Sequence, residues 1–322
     1  RDLVRSRGLG DVYKRQVWGI WTSPHLLRTE IRLGWRGVSN TDNSPSVWLT
    51  TLASGSSGNS SLIGDSEGNN ILVDCGISCK RIIESVSELS VLPEQIKGIF
   101  VTHEHTDHIS GLMMLIKKYK IPVFASLGTL SEITRCKGFD SSYKKLMYKV
   151  EPNRPFCIGD FMVNGFNIPH DAAEPLGFTF EKYDVKLSVC TDFGMITDEI
   201  KEGLRGSNAM VIEANHDERM LEAGRYPFRL KRRILGDKGH ISNENSGKII
   251  TELWNEEVKQ IFLGHLSDEN NMPELALETV RCELLMEHKD FEAYTKLIVA
   301  NRNTLSERVV ITAEEIAGNK SA

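Results

Sequence analysis

Between residues 103 and 108 the chain places His103, His105, Asp107 and His108, so three of its nine histidines fall in six positions. Imidazole and carboxylate are good ligands for zinc, manganese or iron at neutral pH. On a strand, residues 103, 105 and 107 would share one face, whereas on a helix none of the four stacks cleanly. A loop that leaves a strand and enters a helix can aim His103 and His105 at one ion, and Asp107 and His108 at another. A blander reading is a solvated helix N-terminus with charged groups near its dipole.

Three further donors follow apolar runs. "NGFNIPHDA" delivers His170, "LSVCTDFG" delivers Asp192 and "QIFLGHLS" delivers His265. Each alone is as readily a turn or cap residue. Together they complete a set of six or seven ligands, which capping does not explain.

The surrounding pattern must position these groups. Two strands are predicted at 47–53 and 60–63 around a Gly/Ser turn, then a short buried strand that ends at Asp74. Residues 78–89 read as a helix by periodicity. "IKGIFVTH" reads as a strand that carries the histidine cluster at its C-terminal end, and "ISGLMMLIKKY" as one helix. Strands are predicted at 122–126, near 147–150, 161–168, 176–183 and 185–191, at 209–215 and 258–265, and near 296–300. Helices are predicted at 127–137, 196–205, 217–223, 243–254 and 273–288, with a basic loop over 225–240. Short strands alternating with helices give an α/β protein. Residues 47–310 are expected to form one domain, followed by a C-terminal tail at 311–322.

The chain has 322 residues with a net charge of −5, so it is no polycation. No apolar run is long enough for a transmembrane helix. Its six cysteines show no CxxC pair and are expected to be reduced and mostly buried, in a cytoplasmic protein. Residues 1–46 differ from the rest: residues 1–40 carry eight Lys/Arg against three acids. A basic nucleic-acid arm or a targeting peptide would fit in part. "GLGDVYKRQ" instead looks like a translated sequencing adapter, so 1–46 is expected to be a non-domain extension that packs poorly.

The order Asp74, HxHxDH, His170, Asp192, His265 resembles the metallo-β-lactamase-fold hydrolases across roughly residues 47–310. That resemblance implies a four-layer αββα sandwich with the site at one edge between the sheets. It implies that His103, His105 and His170 bind one ion, that Asp107, His108 and His265 bind a second, and that Asp192 bridges them. Asp74 would support the HxHxDH loop. Two divalent ions, zinc or manganese with iron possible, would lie about 3.5–4 Å apart and acidify a shared water toward a pKa of about 7.

Substrate signals lie between Asp192 and His265. "VIEANHD" holds Glu213 and His216, and "GDKGHISNENS" holds His240. These resemble segments of tRNA-processing nucleases and of a cyclic phosphodiesterase with the same fold. The resemblance implies that His240 protonates the leaving oxygen or stabilises the developing charge, with Glu213 orienting it, His216 in support and Asp107 also serving catalysis. A plainer role for the His240 loop is helix capping through Ser242.

A basic run includes Lys231, Arg232, Arg233 and Lys238 and leads into His240; it suits phosphate contacts. Tyr226 and Phe228 interleave with it and could stack bases. "LASGSSGNSSLI", "VDCGIS", "THEHTDHISGL", "IPHDAAEPLGF" and "LGHLSDENNMPELA" together resemble the bacterial WalJ/YycJ/VicX family. This implies a phosphodiesterase acting on nucleic acid, DNA ahead of RNA, as a 5′→3′ exonuclease through a two-metal-activated hydroxide. The alternative is a small-molecule hydrolase, either a cyclic phosphodiesterase or a glyoxalase II-like thioesterase. The stretch from Asp192 to His265 is too short for a β-CASP insertion.

Overall fold

The computed structural model describes residues 44–319. The extension expected at 1–46 therefore lies outside the described residues except at its last three positions, and Ser46 opens the first strand.

The first half runs β1 (Ser46–Ala53), β2 (Ser60–Asp65), β3 (Asn70–Val73), α1 (Cys79–Glu88), β4 (Ile96–Phe100), α2 (Thr106–Ile109), α3 (Leu112–Tyr119), β5 (Val123–Ala125), α4 (Leu127–Ile133) and β6 (Met147–Lys149). The second half runs β7 (Phe156–Ile158), β8 (Phe161–Asn167), β9 (Leu176–Lys182), β10 (Val185–Cys190), α5 (Asp198–Leu204), β11 (Ala209–Glu213), α6 (Glu218–Ala223), α7 (Phe228–Ile234), α8 (Asn243–Leu253), β12 (Gln260–Gly264), α9 (Pro273–Glu287), β13 (Lys296–Val299), β14 (Val309–Thr312) and α10 (Ala313–Asn319). Two seven-stranded sheets result, with orders β14-β1-β2-β3-β4-β5-β6 and β13-β12-β11-β10-β9-β8-β7.

Three apolar cores make four layers. Between the sheets, Phe100 and Phe124 of the first stack at 4.9 Å, and Phe100 meets Phe178 and Phe180 of the second edge-on at 5.3 and 5.1 Å. On the outer face of the first sheet, Ile82, Val86, Leu115, Ile116 and Leu130 pack from α1, α3 and α4. On the outer face of the second, Ile200, Leu204, Ile249, Leu253, Val280 and Leu284 pack from α5, α8 and α9. The fold is the αββα sandwich, with both faces of each sheet buried as such strands require.

β3 to β6 are mutually parallel, and so are β10 to β13. β8 runs antiparallel to β9, which is antiparallel to β10. The C-terminal ends of β3, β4, β8, β10, β11 and β12 therefore open at the same edge, the usual ligand side of such sheets.

Several expectations are corrected. "ISGLMMLIKKY" is two helices, α2 and α3, separated at Ser110 and Gly111. A Cβ on Gly111 would lie 2.3 Å from the Ile77 carbonyl oxygen, so the chain bends there against its neighbour. The helix begun at 127 stops at Ile133. The "basic loop" contains α7, which fully buries none of its residues and whose covered apolar side is only the half-buried Leu230 and Ile234. The expected boundary at 310 falls inside β14, whose Ile311 is buried opposite Val47. β7 pairs with β8 as a further strand. Cys75, Cys79 and Cys190 are buried, but Cys136 and Cys157 are partly exposed and Cys282 is exposed.

Candidate metal centre

Strand ends deliver the donors. Asp74 follows β3, Asp192 lies two residues past β10, and His265 follows β12. All three hold left-handed backbone conformations, with φ of 57°, 64° and 54°. Non-glycine residues adopt this region rarely and at a cost, and such residues cluster where function over-determines the backbone. Here the kink turns each side chain from the strand into the edge. Gly76 explains how the Asp74 segment can lie on the histidine loop: a Cβ there would sit 1.6 Å from the Asp107 carbonyl oxygen.

All the proposed ligands converge on this edge. Donor atoms of His103, His105 and His170 lie within 4.8 Å of one another, as do those of Asp107, His108 and His265. Asp192 falls within the same limit of His103 and His108, and also of Glu213, His240 and His265. His170 Nε2 is 3.3 Å from His105 Nδ1, and His265 Nε2 is 3.3 Å from Asp107 Oδ2. His108 Nε2 lies 3.3 Å from Asp192 Oδ2 and 3.6 Å from Asp107 Oδ2.

Four of the histidines share one arrangement. Each fastens Nδ1 outward and leaves Nε2 for the centre. His108 Nδ1 meets Asp74 Oδ2 at 2.8 Å, His265 Nδ1 meets Glu213 Oε1 at 2.9 Å and His170 Nδ1 meets the Gly239 carbonyl at 3.1 Å. His103 Nδ1 meets Thr102 Oγ1 at 3.0 Å. Outward partners of this kind set the tautomer and ring orientation of metal-binding imidazoles. Asp74 serves Thr102 as well, accepting from its backbone N–H and its hydroxyl, both at 2.8 Å.

The electrostatics fit a cation. His103 Nε2 is buried without a hydrogen-bond partner, an expensive state unless something accepts its lone pair. Burial holds His103 well below the ordinary imidazole range and lowers His170, so both offer lone pairs rather than protons. On the other side, burial opposes charge on His265, but Asp192, Asp107 and Glu213 outweigh it and push its pKa up to about 10. His108 is likewise raised, by Asp192 and Asp74 against its burial. The buried carboxylates thus favour positive charge at this edge. The clusters are of the mixed His/carboxylate kind that could hold a divalent metal ion.

Beside them stands a dyad. Glu213 Oε1 is 2.7 Å from His240 Nδ1, and Glu213 Oε2 accepts from the Phe193 N–H at 3.0 Å. Glu213 therefore joins His240 to the candidate ligand His265. Ser242 does cap α8, accepting from the Asn245 N–H at 3.4 Å, so the capping and site roles of this loop coexist. His216 is less directly placed: its Nδ1 is 3.4 Å from Asn215 Oδ1, and Asn215 Nδ2 donates to the His265 carbonyl at 2.8 Å. Of the basic residues, Arg233 binds Asp171, Lys231 Nζ is drawn to the Glu222 carbonyl at 2.6 Å, and Arg232 and Lys238 are exposed.

Sequence reading missed three participants. Asn59 Nδ2 lies 3.2 Å from His108 Nε2 and 3.4 Å from Asp107 Oδ2, and Asn59 Oδ1 accepts from the Gly55 N–H at 2.9 Å. Its signal was the asparagine closing "SGSSGN". Thr102 and Asp171 sit beside predicted ligands, and adjacency was their only sign.

Comparisons with known proteins agree with this geometry. Residues 69–265 match the family described as the beta-lactamase superfamily domain. The chain is 40% identical over 243 residues to the exodeoxyribonuclease YycJ of Bacillus anthracis, covering 76% of this chain and 90% of that one. It is 38% identical over 231 residues to the exodeoxyribonuclease WalJ of Streptococcus pneumoniae, covering 71% and 85%. Among solved structures, the metallo-beta-lactamase fold protein YhfI of Bacillus subtilis superposes with a TM-score of 0.59 at 14% identity, over 82% of this chain and 99% of that one. The chain belongs to the metallo-β-lactamase-fold hydrolases and, within them, to the family of the YycJ and WalJ exodeoxyribonucleases.

Proposed function

We propose that the chain is a two-metal nuclease that hydrolyses DNA from its 5′ end in the cytoplasm. The observation that carries this reading is the His240–Glu213 dyad, 2.7 Å apart, standing against the convergent His/Asp set. His103, His105 and His170 would hold one divalent ion, Asp107, His108 and His265 a second, with Asp192 shared. Bound ions of this kind make hydroxide available near neutral pH and neutralise phosphate charge.

The chain's own residues do the rest. With Nδ1 held by Glu213, the His240 ring has Nε2 left to hand a proton to the leaving oxygen. Glu213 is held below the ordinary carboxylate range: burial opposes ionisation, but His240 and His265 outweigh it, so it stays an acceptor that fixes the ring. The cations of α7 lie on the chain segment leading to His240 and suit a polyanion. Two relatives that share 38–40% of their residues with this chain are named exodeoxyribonucleases, which favours DNA over RNA.

The test offers 5′-labelled duplex DNA, RNA, bis-p-nitrophenyl phosphate and S-lactoylglutathione to the protein with Mn²⁺ or Zn²⁺. DNA shortened from the 5′ end is expected. Thioester cleavage without any phosphodiester cleavage would sink the proposal.

A further inference from the structure

None of the seven residues of α7 is fully buried: Leu230, Lys231 and Ile234 are half-buried, and Phe228, Arg229, Arg232 and Arg233 are exposed. The fold partly covers Leu230 and Ile234, whereas Phe228 on the same helix is 73% exposed. Arg232, one turn on, lies across that ring at 5.9 Å from its centroid. The far end of the helix is fastened to the metal centre. Arg233 Nε and Nη2 donate to the two oxygens of Asp171 at 2.5 and 3.1 Å. Asp171 Oδ1 in turn lies 3.5 Å from His170 Nε2 and 4.0 Å from His105 Nε2. A guanidinium has five N–H donors in a planar fork, so Asp171 uses two and fixes the plane of the other three.

We infer that α7 is a ledge for an unpaired polynucleotide strand, a reading that rests on the proposed nuclease function. A base stacks on Phe228, Arg229 and Arg232 meet phosphates, and Arg233, aimed by Asp171, takes the phosphate beside the metal centre. Helix residues four apart share a side, so Arg232 lies beside Phe228, where it can meet the phosphate of the stacked nucleotide, while Arg229 and Arg233 line the adjacent side for the backbone. The helix is about 10 Å long, room for one or two nucleotides. The occupant is unpaired because a base held in a duplex offers no free face to Phe228. The centre itself agrees: His103, His170, Asp192 and His265 are all at most 3% exposed, so the strand must be thin enough to reach them. Asp171 is a positioning residue on this account, since it acts through Arg233.

The test is stopped-flow anisotropy before turnover, on the full metal-loaded chain. The probes are a thymidine 15-mer, an abasic 15-mer with the same phosphates, and a hairpin-capped duplex. Phe228→Ala is expected to weaken the thymidine probe about tenfold or more, the weight of one base–aromatic stack, with the abasic probe and duplex within about twofold. Phe228→Trp should restore thymidine binding. Arg233→Ala and Asp171→Asn should weaken both single strands alike and lower the salt slope by about 0.7, one phosphate contact. Unchanged thymidine binding in Phe228→Ala, or an equal loss for the abasic probe or the duplex, would overturn the ledge. Expected binding without cleavage of any phosphodiester would instead overturn the nuclease reading and leave the ledge standing.

Discussion

Charge is buried at both ends of this sandwich, and the two ends treat it differently. At the end opposite the metal centre, Lys182 closes β9 beside the start of β10, and Asp65 closes β2 beside the start of β1. Lys182 Nζ is 2.7 Å from Asp65 Oδ2, and both side chains are almost wholly buried. Asp65 also accepts from the N–H groups of Glu67 and Asn69 at 2.9 and 2.8 Å and from Asn69 Nδ2 at 2.8 Å. Burial disfavours the Lys182 charge, but Asp65 overrides it and lifts the ammonium above the ordinary lysine range. Every partner comes from the chain. At the open end, Asp107 and Asp192 face imidazoles that have turned their second nitrogens away, and His103 Nε2 has no partner. The lesson is that a buried charge is complete when the chain itself answers it, as Asp65 answers Lys182 with Glu67 and Asp160 also near at 3.4 and 3.8 Å, whereas a centre built to bind leaves donors over.

Three experiments press on that contrast. The largest effect is expected from Asp192→Ala, which removes the carboxylate shared by both clusters. Metal content, measured by elemental analysis, should fall from two ions per chain and DNA cleavage should be lost. Retained metal would mean that the open end is satisfied without its central charge. His240→Ala should lower turnover by about 10²- to 10⁴-fold while the metal content holds, because the dyad stands beside the ions rather than on them. Metal loss in that variant would make His240 a ligand.

Lys182→Met should leave cleavage per folded molecule unchanged while costing about 3–5 kcal/mol of stability in urea unfolding, since Asp65 is left buried and uncompensated. Lys182 has a folded pKa above its unfolded value of about 10.4, so on the alkaline side its contribution holds to about pH 10 and is lost as pH climbs through the folded value. The two ends lie roughly six strand residues apart, about 20 Å. Metal stripping should therefore destabilise wild type and Lys182→Met by the same increment. Unequal increments would show that the ends are coupled and break the comparison.

The ligand cluster was legible because chemistry is written in residue type: HxHxDH needs no structure to look like a metal site. His170, Asp192 and His265 were legible because each ends an apolar run, and strand ends sit at sheet edges. Asn59 was not, because its role depends on β1 and β2 returning it to Asp107, a contact between residues 48 positions apart. α7 was read as a loop because hydrophobic periodicity reports helices with a broad buried face, and the covered apolar face of α7 is only Leu230 and Ile234, both half-buried. β14 was missed for a related reason. Its four residues alternate buried and exposed, too few to separate from the tail. The Lys182–Asp65 pair left no trace in either local pattern, since a lysine at one strand end and an aspartate at another look like ordinary surface residues.

β14 has a consequence for the order in which the molecule can be made. It covers the outer edge of β1, pairing Ser46 with Thr312 and Leu49 with Val309. Of the described strands β1 is made first and β14 last, so β1 waits for its partner. At about 5–20 residues per second, the interval is roughly tens of seconds. During that time β1 presents an unpaired row of N–H and C=O groups, the kind of edge that recruits other chains. The metal donors of the second half, ending with His265, are in place before that edge is sealed. A nascent chain held just short of residue 309 would therefore hold every proposed ligand and still carry an open seam.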